Sequence, residues 1–118
     1  MKGNYGSYKY LYPVIIVSPR LPYRSQIATI VPISLTEPKH DLPYVVRLSH
    51  NYHPAESDEL PSWAKCDMVL NISLQRLTAF KVGRRKYTYP TLSQEDLGNV
   101  REGIIHALGM SHLLDPSN

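Results

Sequence analysis

Basic residues are concentrated in one short segment that contains no acidic residue. Between positions 76 and 86 the sequence carries five cations, and two tyrosines follow: Arg76, Lys81, Arg84, Arg85, Lys86, Tyr87 and Tyr89. Gly83 stands directly before three of the cations, which predicts a hairpin tip that presents charge to solvent. Basic side chains neutralise phosphates and aromatic rings stack on bases, so this combination is typical of a surface that binds single-stranded RNA. A solvated hairpin without a ligand has the same composition, and the sequence leaves both interpretations open.

Two further arginines, Arg20 and Arg24, flank a short loop that follows a predicted buried strand. Loops at the ends of core strands often hold phosphate through arginine, because the planar guanidinium matches the phosphate oxygens. We therefore include both arginines among the candidate residues. Ordinary solvated arginines are the alternative interpretation.

The histidines offer little metal chemistry. His50 and His53 lie in a polar stretch together with Glu56 and Asp58. Two histidines at this spacing in a loop are not specific for a metal ion, and no second half of a ligand set is evident. We therefore expect no metal site and no cofactor.

His40 and Cys66 are the other candidates for proton transfer or nucleophilic chemistry. His40 follows a predicted strand end beside Asp41 and could act as a general acid or base. Cys66 is predicted to lie mid-strand between Lys65 and Asp67, where a cysteine usually packs as a small apolar residue. No histidine is close to Cys66 in sequence, which disfavours a thiol nucleophile.

The chain that must position these residues has 118 residues and a formal net charge of +3. This length fits one domain over residues 1–118. The single cysteine excludes an intramolecular disulfide. Without a run of about 18 apolar residues we expect no membrane span and a cytoplasmic protein. The charge permits binding to nucleic acid without requiring it.

Composition favours a mainly β fold. Ten prolines are too many for a helical bundle, and nine tyrosines against one phenylalanine and one tryptophan suit half-buried sheet faces. An edge strand or an unpaired arm is predicted over residues 1–11. A long polar connection, the polar excursion, is predicted over residues 49–61. Further strands are predicted over residues 13–18, 28–33, 44–48, 63–69, 72–74 and 77–82. Pro32, inside the second of these, suggests a strand end, an edge position or a bulge.

The end of the chain changes from a strand period to a helix period. Ser93 begins a capping signature, because a glutamate and an aspartate follow within three residues. Apolar residues then recur at spacings of three and four, at Leu97, Val100, Ile104 and Leu108. Gly109 is well placed to end the helix. The pattern predicts one helix over about residues 94–108, packed on a β-rich barrel or curled sheet.

The order of these segments resembles the PemK/MazF family of toxins from type II toxin–antitoxin systems. Tyr12–Arg20, with the sequence YPVIIVSPR, is similar to the family's "RPVVVISP" strand. Ala28–Ser34 resembles the second core strand, which ends in threonine or serine. The remaining similarity lies in Leu42–Leu48, in Trp63–Val69 with Ser73 and Arg76-Leu77 after it, and in the helix Ser93–Leu108. The resemblance covers about residues 12–110.

This resemblance implies a curled antiparallel sheet of the SH3-like barrel type with one C-terminal helix, and a homodimer. It also implies a metal-independent endoribonuclease that cleaves single-stranded RNA. A cognate antitoxin with an acidic disordered segment would hold the toxin inactive. The residues expected to contact RNA are Arg24, Arg76, Lys81, Arg84, Arg85, Lys86 and Tyr87.

The resemblance implies that Ser34 supplies a hydroxyl to the scissile phosphate. Tyr12 stands where the family places an arginine, and a tyrosine brings a proton or a hydrogen bond but no positive charge. Arg20, Arg24 or Arg47 would supply that charge, and we take Ser34, Tyr12 and Arg20 as the expected catalytic residues. The alternative hypothesis is a catalytically silent module that binds RNA or a protein partner. A structural domain without a nucleic-acid role is the third.

Overall fold

The computed structural model describes residues 4–8, 12–19 and 21–114. The strands are β1 (Asn4–Tyr8), β2 (Tyr12–Ile16), β3 (Ile27–Ser34), β4 (Val45–Arg47), β5 (Trp63–Lys65), β6 (Leu70–Ser73), β7 (Leu77–Thr78), β8 (Phe80–Gly83) and β9 (Lys86–Thr88). The helix α1 spans Gln94–Ala107, and short 3-10 turns occupy Cys66–Met68, Leu74–Arg76 and Ser111–Leu114. None of the described helices is long and apolar enough to cross a membrane.

The strand β3 is the centre of the main sheet. Its eight residues pair with β2 along one edge, while the other edge is shared by β6 and β5. Pro32 falls on this shared edge between the last residue paired with β6 and the first paired with β5. A proline lacks the backbone donor that a ladder needs, so this gap between two partner strands accommodates it inside the strand.

Seven strands form the main sheet in the order β4-β5-β3-β2-β1-β7, with β6 beside β3, and every pairing is antiparallel. The strands β8 and β9 form a separate hairpin. The predicted mainly β fold with one C-terminal helix is confirmed. The barrel is not closed, because no described strand bridges the outer edges of β4 and β7.

The segment 1–11 contributes β1, which pairs along its whole length with β2. Its last two residues, Ser7 and Tyr8, also pair with β7, so only the first part of β1 is an edge. The prediction of one strand over residues 63–69 is wrong, because β5 ends at Lys65 and a 3-10 turn follows. Cys66 therefore begins a turn and does not lie mid-strand. Its burial beneath the helix explains the change in direction.

The sheet buries side chains on both of its faces. Val31 and its partner Ile15 lie on the face that α1 covers, in a cluster with Ala64 and Val100. Alternation along the strands sends Ile30 to the opposite face. There it packs with other aliphatic residues, namely Val14, Ile72, Ile16 and Leu77. We call the first surface the helix face and the second the open face.

The helix α1 begins and ends where its sequence predicts. The Ser93 hydroxyl accepts a hydrogen bond from the backbone N–H of Asp96 at 3.1 Å, which caps the first turn. Gly109 has a φ of +72°, the left-handed conformation that ends many helices. Leu97 and Val100 are buried, but Leu108 is 60% exposed. The apolar face therefore stops before Leu108, because that residue is the C-cap, where the chain leaves the helix.

The helix packs tightly against the residues beneath it at Gly103. A Cβ atom at this position would lie 2.7 Å from Cys66 Sγ and 2.9 Å from Val46 Cγ2. Both distances are well inside van der Waals contact, so only glycine fits without movement of the helix or of these two side chains. Gly98, on the same helix, is exposed, and a Cβ atom added there would have no other atom within 4 Å.

These two glycines predict opposite effects of the same substitution. Gly103→Ala should lower the free energy of unfolding by about 1–3 kcal/mol, because the added methyl group overpacks a buried contact. Gly98→Ala should raise it by about 0.5–1 kcal/mol through helix propensity alone. Urea denaturation followed by circular dichroism measures both. Equal stabilisation by the two substitutions would contradict the close packing at Gly103.

Candidate active site

Three residues form a line across neighbouring strands at one end of the sheet. Ser34, the last residue of β3, is opposite Trp63 of β5, and Trp63 is opposite Arg47 of β4. Directly opposed residues of antiparallel strands project from the same face of a sheet. Ile33 and Ala64 are opposed on the helix face, so Ser34, Trp63 and Arg47 lie on the open face. We call these three residues the transverse row.

Ser34 presents a hydroxyl whose proton no described residue accepts. Its Oγ accepts a hydrogen bond from the backbone N–H of Thr36 at 3.1 Å, which fixes the chain as it leaves β3. Among the described residues none accepts a hydrogen bond from this hydroxyl, and the side chain is partly exposed. A hydroxyl with one lone pair occupied and its proton free is suited to donate to an anionic oxygen.

Arg47 lies at the other end of the row, and its side chain is exposed. No described residue forms a hydrogen bond or an ion pair with its guanidinium. Trp63, between Ser34 and Arg47, is only 7% exposed and forms the floor. Strands in a sheet lie about 4.8 Å apart, so the backbones of Ser34 and Arg47 are separated by roughly 10 Å across Trp63.

The connection between β3 and β4 folds over this end of the sheet and completes a cleft of about 420 Å³. The strands contribute Val45, Arg47 and Trp63, and the connection contributes Glu37, Pro38, Lys39, His40, Asp41 and Leu42. His40 is exposed, so its imidazole is accessible for proton transfer. Anionic and cationic groups therefore line one depression whose size suits a small ligand or part of a polymer.

Of the other two expected catalytic residues, the structure describes the backbone of Tyr12 but not Arg20. Tyr12 is the first residue of β2, and the β2–β3 register pairs Val14 with Pro32. Continuing this register by two residues brings position 12 opposite Ser34. The Tyr12 side chain and the whole of Arg20 lie outside the described residues. Positions 12 and 34, which the resemblance predicts to be catalytic, thus belong to the same end of the paired strands β2 and β3.

Arg24 is not brought to the transverse row. Its Nη2 donates to Asn71 Oδ1 at 3.1 Å and to Thr29 Oγ1 at 3.4 Å. Thr29 is five residues before Ser34 on β3, which corresponds to about 16 Å of strand, and it points to the opposite face. Of the three arginines considered as the source of charge, Arg47 is the described one beside Ser34.

The predicted basic hairpin is present. The strands β8 and β9 meet at a turn in which Arg85 has a φ of +60°. The charged and aromatic side chains of the hairpin are exposed, namely Lys81, Arg84, Arg85, Lys86 and Tyr87. Phe80, at its base, is buried in the helix-face cluster. Arg76 is exposed in the 3-10 turn before β7. The hairpin is thus anchored on the face opposite the transverse row.

The polar excursion 49–61 is tied to the start of α1 by a buried carboxylate. Asp96 is 2% exposed and accepts hydrogen bonds from the Ser49 backbone at 3.1 Å and the Ser49 hydroxyl at 2.7 Å. The Tyr52 hydroxyl donates to the same carboxylate at 2.6 Å. Burial and this hydrogen bond raise the pKa of Tyr52. The sequence predicts for Asp96 only a place in the capping signature at the start of the helix, because its partners are distant along the chain.

The two histidines of the excursion contact different residues. His50 Nδ1 lies 3.1 Å from Asp58 Oδ2, and this hydrogen bond raises the pKa of His50 and lowers that of Asp58. The His53 ring packs against Phe80 with centroids 4.5 Å apart. Within residues 4–8, 12–19 and 21–114, no three histidine, cysteine, aspartate or glutamate side chains are grouped to hold a metal ion.

The thiol of Cys66 is a packing group. It is buried, and it donates to the Val100 carbonyl with a distance of 3.4 Å between Sγ and the oxygen. Burial, with a smaller contribution from Asp67, raises the pKa of the thiol to about 12. The thiolate that a nucleophile requires is therefore scarce at neutral pH.

Comparison with known proteins decides the family. The family model for PemK-like, MazF-like toxins of type II toxin–antitoxin systems matches residues 3–108 of the chain. The chain belongs to this family. The resemblance inferred from its segments is thereby confirmed. No curated protein matches the sequence.

Solved structures share the fold of this PemK-like chain at low sequence identity. An endoribonuclease from a mycobacterial species superimposes with a TM-score of 0.65 at 16% identity, over 92% of this chain and 89% of that one. The Mycobacterium tuberculosis toxin MazF-mt6 gives 0.62 at 19% identity, over 93% and 98%. A mycobacterial endoribonuclease in complex with its cognate antitoxin gives 0.62 at 15% identity, over 92% of each chain.

Proposed function

We propose that this PemK-like protein is the toxin of a toxin–antitoxin pair and acts as a metal-independent endoribonuclease on single-stranded RNA. The observation that carries the proposal is the Ser34 hydroxyl, whose proton no described residue accepts and which shares the transverse row with Trp63 and Arg47 of the charged cleft. The family model and the structural neighbours described as endoribonucleases support the same activity. A toxin with this substrate would act in the cytoplasm.

The reaction uses the RNA's own nucleophile. The 2′-oxygen attacks the adjacent phosphorus and loses its proton to a base, while the bond from phosphorus to the 5′-oxygen breaks and that oxygen gains a proton from an acid. The products are a 2′,3′-cyclic phosphate and a 5′-hydroxyl end. The protein must supply a proton acceptor, a proton donor and groups that stabilise the extra negative charge on the phosphoryl oxygens.

The residues of the open face match these tasks. The Ser34 hydroxyl donates a hydrogen bond to a non-bridging phosphoryl oxygen, and His40 in the cleft exchanges a proton with the attacking or leaving oxygen. The resemblance assigns a further hydroxyl donor to Tyr12, and this assignment stays a prediction. The sequence assigns a charge role to Arg20, and this assignment stays a prediction.

The RNA strand extends from the cleft over the basic residues elsewhere on the surface. The exposed cations of the hairpin would neutralise phosphates, and Tyr87, which is 62% exposed, offers a ring on which a base can stack. Arg24 and Arg76 are the remaining expected contacts. A flexible single strand can reach several separated patches, so the hairpin need not adjoin the transverse row.

The proposed partner protein is a cognate antitoxin. One structural neighbour is described as an endoribonuclease in complex with its cognate antitoxin. This chain has a net charge of +3, so an acidic disordered segment would be attracted to the cations that bind RNA. Such a segment would inhibit by occupying the RNA surface. We also propose that the toxin forms a homodimer, as the family resemblance implies.

Removal of the Ser34 hydroxyl tests the proposed activity. Purified protein, incubated with a long single-stranded RNA in EDTA, should give discrete fragments with 5′-hydroxyl ends. Ser34→Ala should slow this cleavage by about 10²–10³-fold, the usual effect of losing one donor to a developing oxyanion. Ser57→Ala is the matched control, because Ser57 also accepts a hydrogen bond from the backbone N–H two residues later.

Cleavage by Ser34→Ala at the rate of the wild type would contradict the role of this hydroxyl. Intact RNA in every sample would contradict the proposed activity itself. Binding without cleavage would then identify the chain as a silent module of the same fold. Loss of cleavage in both serine variants would indicate a structural effect, which urea denaturation would reveal.

Substitution of the hairpin cations should change RNA binding and not the cleavage chemistry. Combined Arg84→Ala and Arg85→Ala substitutions should weaken RNA binding and reduce the slope of log K against log salt concentration by about 0.7 for each lost phosphate contact. Fluorescence anisotropy at several salt concentrations measures the slope. Unchanged affinity and slope would show that the hairpin does not bind RNA.

A further inference from the structure

The proposed cleavage reaction requires a positive charge near Ser34, and position 12 does not provide one. A pentavalent phosphoryl group carries more negative charge on its non-bridging oxygens than the ground state does. Ser34 offers one neutral donor to these oxygens, and Tyr12 is an uncharged side chain at neutral pH. The open face must therefore supply a cation from another element.

Arg47 lies on that face in register with the catalytic hydroxyl. The pairs Ser34 with Trp63 and Trp63 with Arg47 place the serine and the arginine on either side of one buried ring. The two side chains can approach each other above Trp63, because the arginine is long and the serine is short. The space between them lies beside the cleft that Arg47 and Trp63 line.

The guanidinium of Arg47 has no competing partner among the described residues, in contrast to that of Arg24. Arg24 donates to Asn71 and Thr29 at the far end of β3. Among the described residues, neither Glu37 nor Asp41, the two acidic residues of the cleft, forms an ion pair with it. Its fork of donors matches two phosphate oxygens at once.

The backbone of Arg47 is held by strand pairing, which distinguishes it from Lys39, the other cation of the cleft. Lys39 belongs to the connection between β3 and β4, whereas Arg47 is the last residue of a strand that pairs with β5. A charge carried by a strand is held in position with less loss of order on binding. The lysine ammonium is also a point charge that cannot bind two oxygens in a fixed plane.

We propose that Arg47 binds the scissile phosphate opposite Ser34 and supplies the positive charge that position 12 lacks. The inference rests on the proposed endoribonuclease function and assigns a catalytic residue to it. Arg47 transfers no proton. It donates hydrogen bonds to the non-bridging oxygens while Ser34 donates from the other side, and both interactions strengthen as the phosphorus becomes pentavalent.

Substitution of Arg47 tests the proposal through cleavage. Arg47→Ala should slow the cleavage of single-stranded RNA in EDTA by about 10²–10³-fold, and Arg47→Lys should recover only part of the rate. Lys65→Gln is the matched control, because it removes one positive charge from the neighbouring strand β5. This control should change the rate by less than threefold. Equal losses in Arg47→Ala and Lys65→Gln would overturn a specific role.

A rescue experiment separates missing charge from a damaged fold. The double variant with Tyr12→Arg and Arg47→Ala carries an arginine at the position beside Ser34 on the β2 side. It should cleave RNA at least tenfold faster than Arg47→Ala alone if the lost function is positive charge at the phosphate. Wild-type stability of Arg47→Ala in urea, combined with no rescue, would contradict this role.

A binding measurement tests the proposal without relying on cleavage. A single-stranded oligonucleotide with 2′-deoxy sugars cannot be cleaved by this route, because it lacks the 2′-hydroxyl nucleophile. With this probe, Arg47→Ala should reduce the slope of log K against log salt concentration by about 0.7, the value for one phosphate contact to a single strand. An unchanged slope would overturn the phosphate contact. If wild-type protein leaves RNA intact, the endoribonuclease proposal fails, and the slope still decides whether Arg47 binds phosphate.

Discussion

The pairing of β3 with three other strands is the constraint on which the candidate site depends. One edge of β3 is held by β2, and the other is divided between β6 and β5 at Pro32. This division lets β5 join the last two residues of β3 and carry β4 with it. Ser34, Trp63 and Arg47 become neighbours only because of this register. If β5 shifted by one residue against β3, Trp63 and Arg47 would turn toward the helix face while Ser34 stayed on the open face.

The two faces of the sheet have different physical characters. The helix face is closed by tight contacts, since α1 approaches to the limit that Gly103 allows and Asp96 secures the excursion 49–61 to the helix. The open face ends in the Ser34 hydroxyl, whose proton no described residue accepts, and in the Arg47 guanidinium, which has no hydrogen bond or ion pair to a described residue. The buried Trp63 ring lies between them. The helix face therefore carries the contacts that fix α1 and the excursion 49–61, and the end of the open face carries the polar groups of the transverse row.

Local patterns in the sequence predict most of the elements. The cap at Ser93 and the spacing of Leu97 and Val100 predict the helix, and Gly83 before a run of cations predicts the hairpin turn. The sequence does not distinguish Arg47 from Arg24, because that distinction depends on strand register. Local patterns also do not predict the contacts of the Asp96 carboxylate, because its partners Tyr52 and Ser49 lie 44 and 47 residues away in the sequence. The strand predicted through Cys66 is wrong because a 3-10 turn follows β5 there, with Cys66 buried against Val100 of the helix, a contact between residues 34 positions apart.

The most direct measurement is a crystal structure of the protein with a short RNA whose sugars are 2′-deoxy at the cleavage position. We expect one phosphate in hydrogen-bond contact with Ser34 Oγ and the Arg47 guanidinium, above the Trp63 ring. The strand should pass through the cleft formed by the connection between β3 and β4. An RNA bound along the basic hairpin, with no phosphate near Ser34, would contradict the assignment of the open face as the active site.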